Sequence, residues 1–119
     1  YMKLLNVSNH KFTPEQLEDL KVNWEINEIL ELPEDLKKEW SNLTPDNYKE
    51  VCDRIINLAI KEDHPFLHLA GFAPAVNYVA QDYPICIYAF SVRDSIDVPQ
   101  EDGSIKKIST FNHKGFYRY

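Results

Sequence analysis

Glycine, cysteine and long apolar runs are all scarce in this chain. Its 119 residues include 3 glycines, 2 cysteines and 1 methionine. No G-x-G-x-x-G, P-loop or G-x-S-x-G pattern occurs, which excludes the common glycine-rich signatures of phosphate loops and nucleophile elbows. No apolar run approaches the roughly 20 residues of a membrane helix, and the basic-then-apolar start of a secretion signal is missing. We therefore expect a cytoplasmic protein with no membrane partner.

Cysteine and histidine do not fall into a metal-binding pattern. Cys52 and Cys86 each lie among apolar residues and form no C-x-x-C pair, so we interpret them as reduced core thiols. The histidines at positions 10, 64, 68 and 113 form no nearby cluster with the cysteines of the kind that binds zinc. The sequence predicts no metal and no cofactor.

An excess of positive charge is also absent. The net charge is −6, which argues against long nucleic acid as a partner because lysine and arginine supply most of that affinity. The charge is unevenly distributed, however: residues 1–63 carry 8 basic and 14 acidic side chains, and residues 64–119 carry 5 of each. Positions 103–119 contain basic residues and no acid. This segment favours a small anionic ligand, or it is a charged edge strand that discourages aggregation.

Alternating strands and helices are what the chain does contain. Apolar runs predict strands over residues 2–7, 26–31, 65–70 and 85–90. Thr13, Pro14 and Gln16 form a capping box that starts the first helix, with Phe12 and Leu17 in the hydrophobic-staple positions.

Three further segments complete the predicted helices. A short amphipathic segment contains Leu36 and Trp40. Thr44 and Pro45 repeat the pattern of a helix N-cap followed by proline, and the apolar spacing after them predicts a long amphipathic helix over residues 45–62. A short helix is predicted over residues 73–81. The order βαβαβαβ predicts one α/β domain over residues 1–119, with a mainly parallel sheet of four strands and flanking helices. Beyond Ser91, apolar and polar residues alternate imperfectly, and Asp102-Gly103 is a typical turn pair. Together they predict a C-terminal antiparallel β-hairpin that extends the sheet.

Ligands of such sheets bind beyond the carboxyl ends of the strands. The loop after the first strand contains Ser8, Asn9 and His10, and the loop after the third leads through Gly71 into a helix. Both loops precede a helix N-terminus, which favours an anion. The alternative for the first loop is a plain strand-to-helix turn. His68 lies within a buried strand, and we interpret it as a hydrogen-bonded core histidine; Trp24 and Trp40 are interpreted as packing residues.

Three stretches together resemble the small single-domain Csx-type accessory proteins of type III CRISPR systems. They are Ser8-Asn9-His10-Lys11-Phe12-Thr13-Pro14-Glu15-Gln16, then Leu32-Pro33-Glu34-Asp35-Leu36-Lys37-Lys38-Glu39-Trp40-Ser41-Asn42, and finally Phe111-Asn112-His113-Lys114-Gly115-Phe116-Tyr117-Arg118-Tyr119. The resemblance runs along essentially the whole chain in the same order. It implies a Rossmann-like (CARF-like) fold, a homodimer, and a cyclic oligoadenylate second messenger as ligand.

The resemblance further implies a ring nuclease, which would switch off the antiviral response by metal-independent attack of a ribose 2′-hydroxyl on the adjacent phosphorus. His10 is the candidate for proton transfer, with Ser8 and Asn9 orienting the phosphate. The candidate ligand-binding residues are Lys11, Ser41, Asn42, Gly71, Phe72, Ala73, Asn77, Arg93, His113 and Lys114. Two other functions stay open, namely a protein that binds and sequesters the ring without cleaving it, and an interaction domain with no nucleotide ligand.

Overall fold

The computed structural model describes residues 2–119, which form an α/β domain around one mixed sheet of five strands. The strands are β1 (Met2–Val7), β2 (Ile26–Glu31), β3 (Phe66–Leu69), β4 (Cys86–Pro99) and β5 (Ile105–Arg118). The helices are α1 (Pro14–Trp24), α2 (Glu34–Trp40), α3 (Tyr48–Lys61) and α4 (Ala73–Asp82). The sheet order is β2-β1-β3-β4-β5; neighbouring strands are parallel except β4 and β5, which are antiparallel.

Helices cover both faces of the parallel part of the sheet. Successive residues of a strand point to opposite faces, so Leu5 and Val7 of β1 pack with α2, α3 and α4, whereas Leu4 packs with Leu20 of α1. Burial on both faces explains why β3, whose four residues are all buried, reads as a nearly continuous apolar run. Both cysteines are buried and free within these layers.

The start of α1 confirms the local prediction. Thr13 accepts a hydrogen bond from the amide of Gln16, and the Gln16 side chain accepts one from the amide of Thr13. Pro14 occupies the first turn, where its missing N–H costs nothing.

The start of α3 corrects the prediction of a helix from residue 45. The helix begins at Tyr48 because Thr44 to Asn47 fold into a separate turn. Thr44 donates its amide to Asn47 Oδ1 at 2.8 Å, and its hydroxyl accepts the amide of Asp46 at 3.3 Å. Threonine and asparagine side chains compete with the helix for backbone groups in this way.

The C-terminal hairpin also differs from the prediction. No separate strand ends near Phe90: β4 runs from Cys86 to Pro99 and forms the first arm of the hairpin itself. The pairing of β4 with β5 is interrupted by a β-bulge between Phe90 and Ser91. At this point the continuous apolar run of β4 ends and apolar and polar residues begin to alternate. The predicted turn at Asp102-Gly103 is confirmed, with Gly103 at φ +86°.

Candidate functional site

A cavity of about 490 Å³ lies at the carboxyl ends of β1 and β3, beside the start of α1. The residues that line it are His10, Phe12, Gln16, His68, Leu69, Ala70, Tyr88, Ala89 and Tyr119. None of these lining residues is acidic. The cavity therefore combines aromatic walls with two imidazoles, in the size range of small-molecule sites.

Asn6, the penultimate residue of β1, organises the polar side of this cavity. Its amide nitrogen donates to the backbone carbonyl of His10 at 2.8 Å, and its amide oxygen accepts from the Ser8 hydroxyl at 2.6 Å. His68 Nδ1 lies 3.0 Å from the same oxygen. Asn6 is buried, so these partners replace the water that its amide loses on folding.

The contacts of Asn6 determine the tautomer of His68. A carbonyl oxygen can only accept, so the contact with His10 identifies which end of the Asn6 amide is nitrogen. The other end is oxygen and accepts, so His68 must donate from Nδ1–H. The Nε2 atom of His68 then carries a lone pair and has no hydrogen-bond partner among residues 2–119. His68 presents an acceptor, not a donor, at the cavity wall.

Burial keeps His68 neutral. Desolvation, assisted by the charge of nearby His10, lowers the pKa of His68 from 6.5 to about 4. Phe12 packs edge-on against the imidazole with ring centroids 4.9 Å apart, and Phe116 lies at 6.0 Å. At neutral pH Nε2 of His68 is therefore a hydrogen-bond acceptor in an environment of aromatic rings.

This lowered pKa predicts that the folded protein loses stability in mild acid. Between pH 6.5 and about 4 the unfolded chain binds a proton at His68 that the folded chain does not, so the free energy of unfolding falls as pH falls through this window. The expected loss between pH 7 and pH 4.5 is about 2 kcal/mol. Urea unfolding at pH 7 and at pH 4.5 measures it, with His68→Gln as the comparison. Equal pH dependence in the two proteins would show that His68 is not buried in the neutral form.

A second cavity, of about 500 Å³, continues past Tyr119 along α4. Tyr119 lines both cavities, and its hydroxyl donates to the carbonyl of Leu69 at 2.7 Å. Gly71, Ala73 and Asn77 lie on its other side. The Tyr119 side chain thus lies between the two cavities, which we treat as two halves of one groove along the carboxyl edge of the sheet.

Trp40 holds the loop between β3 and α4 in place. Its Nε1–H donates to the carbonyl of Ala70 at 3.0 Å. A Cβ at Gly71 would lie 2.9 Å from that same Nε1, and Gly71 has φ +149°. Glycine is needed at position 71 because the indole occupies the space of a side chain. The prediction that Trp40 is a packing residue is confirmed.

The predicted loop residues separate in the structure. His10 is exposed and lines the first cavity, and Gly71, Ala73 and Asn77 line the second. Ser8 is buried with its hydroxyl bound to Asn6. Asn9 is exposed but lines neither cavity.

Other candidate residues lie farther from the groove. Ser41 and Asn42 donate to the carbonyls of Lys37 and Lys38 and so close the end of α2. Lys11 lines a separate groove beside β2.

The remaining candidates serve packing or lie on the hairpin. Phe72 packs edge-on against Tyr48 before the start of α4. His113 contacts Asp19 of α1, with Nε2 and Oδ2 2.6 Å apart. Arg93 lies on the exposed outer part of the hairpin, and Lys114 lies in the bulge.

Sequence reasoning did not select most of the first cavity. His68 was assigned to the core, which its burial and its contact with Asn6 confirm, yet it also faces the cavity. Tyr88 and Tyr119 carried no signal as site residues, because they reach the cavity only through the pairing of β3, β4 and β5. The one available signal for Asn6 was a polar side chain inside an apolar run.

Two properties of the described residues bear on other classes of function. Within residues 2–119, no group of three or more His, Cys, Asp and Glu side chains comes together as a metal site would require. In the same residues, no helix combines the length and apolar character needed to cross a bilayer.

Comparisons with known proteins give one family. The model of the Uncharacterized protein MJ1673 family matches residues 2–117. The chain is 29% identical to the protein named Uncharacterized protein MJ1673 from Methanocaldococcus jannaschii, over 98% of this chain and 96% of that protein. No solved structure gives a significant match.

Proposed function

We propose that this chain, which belongs to the Uncharacterized protein MJ1673 family, is a ring nuclease for cyclic oligoadenylate, as its sequence resemblance implies. Two histidines lie together in an aromatic cavity, which is consistent with that activity. The ring is cyclic tetra-adenylate, and the reaction uses the substrate's own 2′-hydroxyl as nucleophile. The observation that carries the proposal is the pairing of exposed His10 with neutral His68 in a cavity lined by no acid.

The walls of the cavity suit an adenine nucleotide. Phe12, Tyr88 and Tyr119 offer ring faces or edges to a base, and base–aromatic stacking contributes about 1 to 3 kcal/mol per base. The Nε2 lone pair of His68 can accept from an exocyclic amino group or a ribose hydroxyl. No residue that lines either cavity is acidic, so a chain of net charge −6 places no carboxylate against a phosphodiester ring bound in the groove.

The proposed step is a transesterification within the ring. The 2′-oxygen forms a bond to the adjacent phosphorus, the P–O5′ bond breaks, and the products are a 2′,3′-cyclic phosphate and a free 5′-hydroxyl. His10 takes the proton from the 2′-hydroxyl, which is the chemistry an accessible imidazole performs, and the leaving O5′ takes up a proton from solvent water. The rest of the site holds the attacking oxygen in line with the leaving oxygen.

The proposal includes the architecture and setting that the resemblance implies. The four parallel strands in the order β2-β1-β3-β4 support a Rossmann-like (CARF-like) fold. A ring of four adenylates has approximate two-fold symmetry, so a homodimer can offer the same groove twice to one ligand. The setting is the cytoplasm, in type III CRISPR signalling.

Sequestration of the ring without cleavage is the second candidate. It is favoured by the low pKa of His68, about 4, because a weakly basic, buried imidazole binds a donor but accepts its proton poorly. A protein of this kind would lower the free messenger by mass action alone.

One experiment separates these functions. The protein is incubated with cyclic tri-, tetra- and hexa-adenylate in EDTA, and the products are separated by chromatography and identified by mass. Linear fragments ending in a 2′,3′-cyclic phosphate, formed most rapidly from the tetramer, are expected. Intact ring that co-elutes with the protein would assign sequestration. Failure to bind any of the three rings would overturn both candidates and leave an interaction domain.

A further inference from the structure

The first cavity contains one polar atom that is fixed in place and unpaired, Nε2 of His68. The side chain is 4% exposed, and its Nδ1–H is bound to Asn6 Oδ1, so the imidazole cannot turn over without losing that hydrogen bond. Phe12 and Phe116 pack edge-on against the ring. In the described part of the chain Nε2 has no partner, yet it is not fully buried. The cavity that His68 lines is therefore where a ligand reaches this acceptor.

Gln16 supplies the same cavity with a fixed donor. Its Oε1 accepts the amide of Thr13 at 3.0 Å in the capping box, and because a backbone N–H can only donate, this contact identifies which end of the side chain is oxygen. The amino group at the other end has no partner among the residues that the structure describes. Since Gln16 lines the cavity, its N–H groups are available to a ligand there.

Aromatic rings form much of the remaining wall. Phe12, Tyr88 and Tyr119 line the cavity together with the two polar groups. The rings of Tyr88 and Tyr119 pack with their centroids 5.0 Å apart, and the Tyr119 hydroxyl is bound to the carbonyl of Leu69. Such a site suits a flat ligand, whose faces contact the rings and whose edge meets one fixed acceptor and one fixed donor.

We propose that these two groups recognise the edge of adenine, with Nε2 of His68 accepting a hydrogen of the 6-amino group and the side-chain amide of Gln16 donating to the ring nitrogen beside it. His68 and Gln16 are then specificity-determining residues, and the first cavity selects adenine over the other purine bases. The inference deepens the proposed function and rests on it for the presence of a nucleotide in this cavity.

Purine bases differ at the atom that faces His68 in this arrangement. Adenine has an amino donor at position 6, whereas guanine and hypoxanthine have a carbonyl acceptor there. A carbonyl opposite Nε2 places two lone pairs against each other and leaves both acceptors unpaired, which weakens binding by about 10- to 100-fold. Burial lowers the pKa of His68 to about 4, so Nε2 stays an acceptor at neutral pH.

Binding of neutral nucleosides to the full chain tests the inference apart from ring cleavage. Adenosine, inosine and purine riboside, which lacks the 6-amino group, are titrated and their dissociation constants compared. We expect adenosine to bind about 10-fold or more tightly than either of the others. In protein labelled with nitrogen-15 at histidine, adenosine should shift the Nε2 resonance of His68, while Nδ1 stays protonated and bound to Asn6.

Gln16→Glu separates the donor from the capping box. Glutamate at this position also accepts the Thr13 amide, so the start of α1 and the melting temperature should be preserved. The carboxylate offers no donor to the ring nitrogen, so adenosine should bind about 10-fold or more weakly. Gln100→Glu makes the same chemical change between β4 and β5, where Gln100 is exposed, and should leave binding unchanged.

His68→Phe keeps an aromatic ring but removes the acceptor, so it should bring the three nucleosides to similar affinities. Circular dichroism checks that this variant folds; if it does not, the wild-type titration and Gln16→Glu decide. Equal binding of the three nucleosides by the wild type, an unchanged preference in folded His68→Phe, or no shift of His68 at millimolar adenosine overturns the inference.

The outcomes for the base and for the ring are independent. A protein that binds adenosine selectively but cleaves no ring supports this inference and contradicts the proposed function. A protein that cleaves cyclic rings of adenylate and inosinate equally well supports the nuclease and overturns the role given to His68 and Gln16.

Discussion

Replacing His10 with alanine is expected to lower the rate of ring cleavage by about 10²- to 10⁴-fold while the affinity for the ring stays nearly unchanged. The physical reason is that His10 is the exposed imidazole of the cavity and the group proposed to move a proton, whereas the aromatic walls that hold the bases remain. Single-turnover cleavage of cyclic tetra-adenylate measures the rate, and fluorescence or calorimetric titration measures the affinity.

His64→Ala is the matched control for this experiment. His64 is also exposed, but it lines a groove with Ile60, Tyr83 and Ile85 away from the first cavity, so cleavage should proceed at the wild-type rate. Free imidazole should partly restore cleavage to His10→Ala if the side chain acts in proton transfer. A His10→Ala protein that depletes free ring as completely as the wild type would instead assign sequestration.

Replacing Asn6 with leucine is expected to lower the free energy of unfolding by about 3 to 5 kcal/mol. Leucine has a similar volume but removes the Asn6 partner of two buried groups, the hydroxyl of Ser8 and Nδ1–H of His68. It also removes the stronger of two contacts of the His10 carbonyl, which keeps a 3.5 Å contact with the Ser8 hydroxyl. Each buried polar group left unpaired costs about 1 to 3 kcal/mol. Thermal unfolding should show a melting temperature lower by about 10 °C or more.

Asn57→Leu gives the matched control for Asn6. Asn57 is exposed on α3, so the same chemical change there should alter the free energy of unfolding by less than about 0.5 kcal/mol. A loss below about 1 kcal/mol in Asn6→Leu would contradict the role given to the Asn6 contacts.

Features that depend on neighbouring residues followed from the sequence. The capping box of Thr13 and Gln16 joins groups three residues apart, so its pattern was sufficient to place the start of α1. Strands β1 and β2 were placed at their observed ends for the same reason, since each is a compact run of strand-forming residues. The predicted start of α3 was wrong because the side chains of Thr44 and Asn47 bind backbone groups in a turn. The helical spacing of the apolar residues after Tyr48 contains no information about this turn.

The assembly of the candidate site depended on contacts between distant residues. His68 meets Asn6 across 62 positions, and Tyr119 reaches Leu69 across 50. The end of β1 predicts a polar loop at Ser8, Asn9 and His10, the resemblance singles out His10 within it, and the structure places His10 on the cavity. His113 remains a candidate ligand residue, and the structure adds its contact with Asp19 of α1, 94 positions away.

By itself the sequence determined the α/β class, the alternation of strands and helices, and the placing of His10 in the loop after β1. These follow from periodicity and local capping, which operate within about one turn of helix or one strand. Only the tertiary structure decided the tautomer and burial of His68 and the position of Tyr119 between two cavities. Those properties arise from the order and register of the strands. The hydrogen bonds and apolar contacts involved join segments that lie far apart along the chain, so no local sequence pattern predicts them.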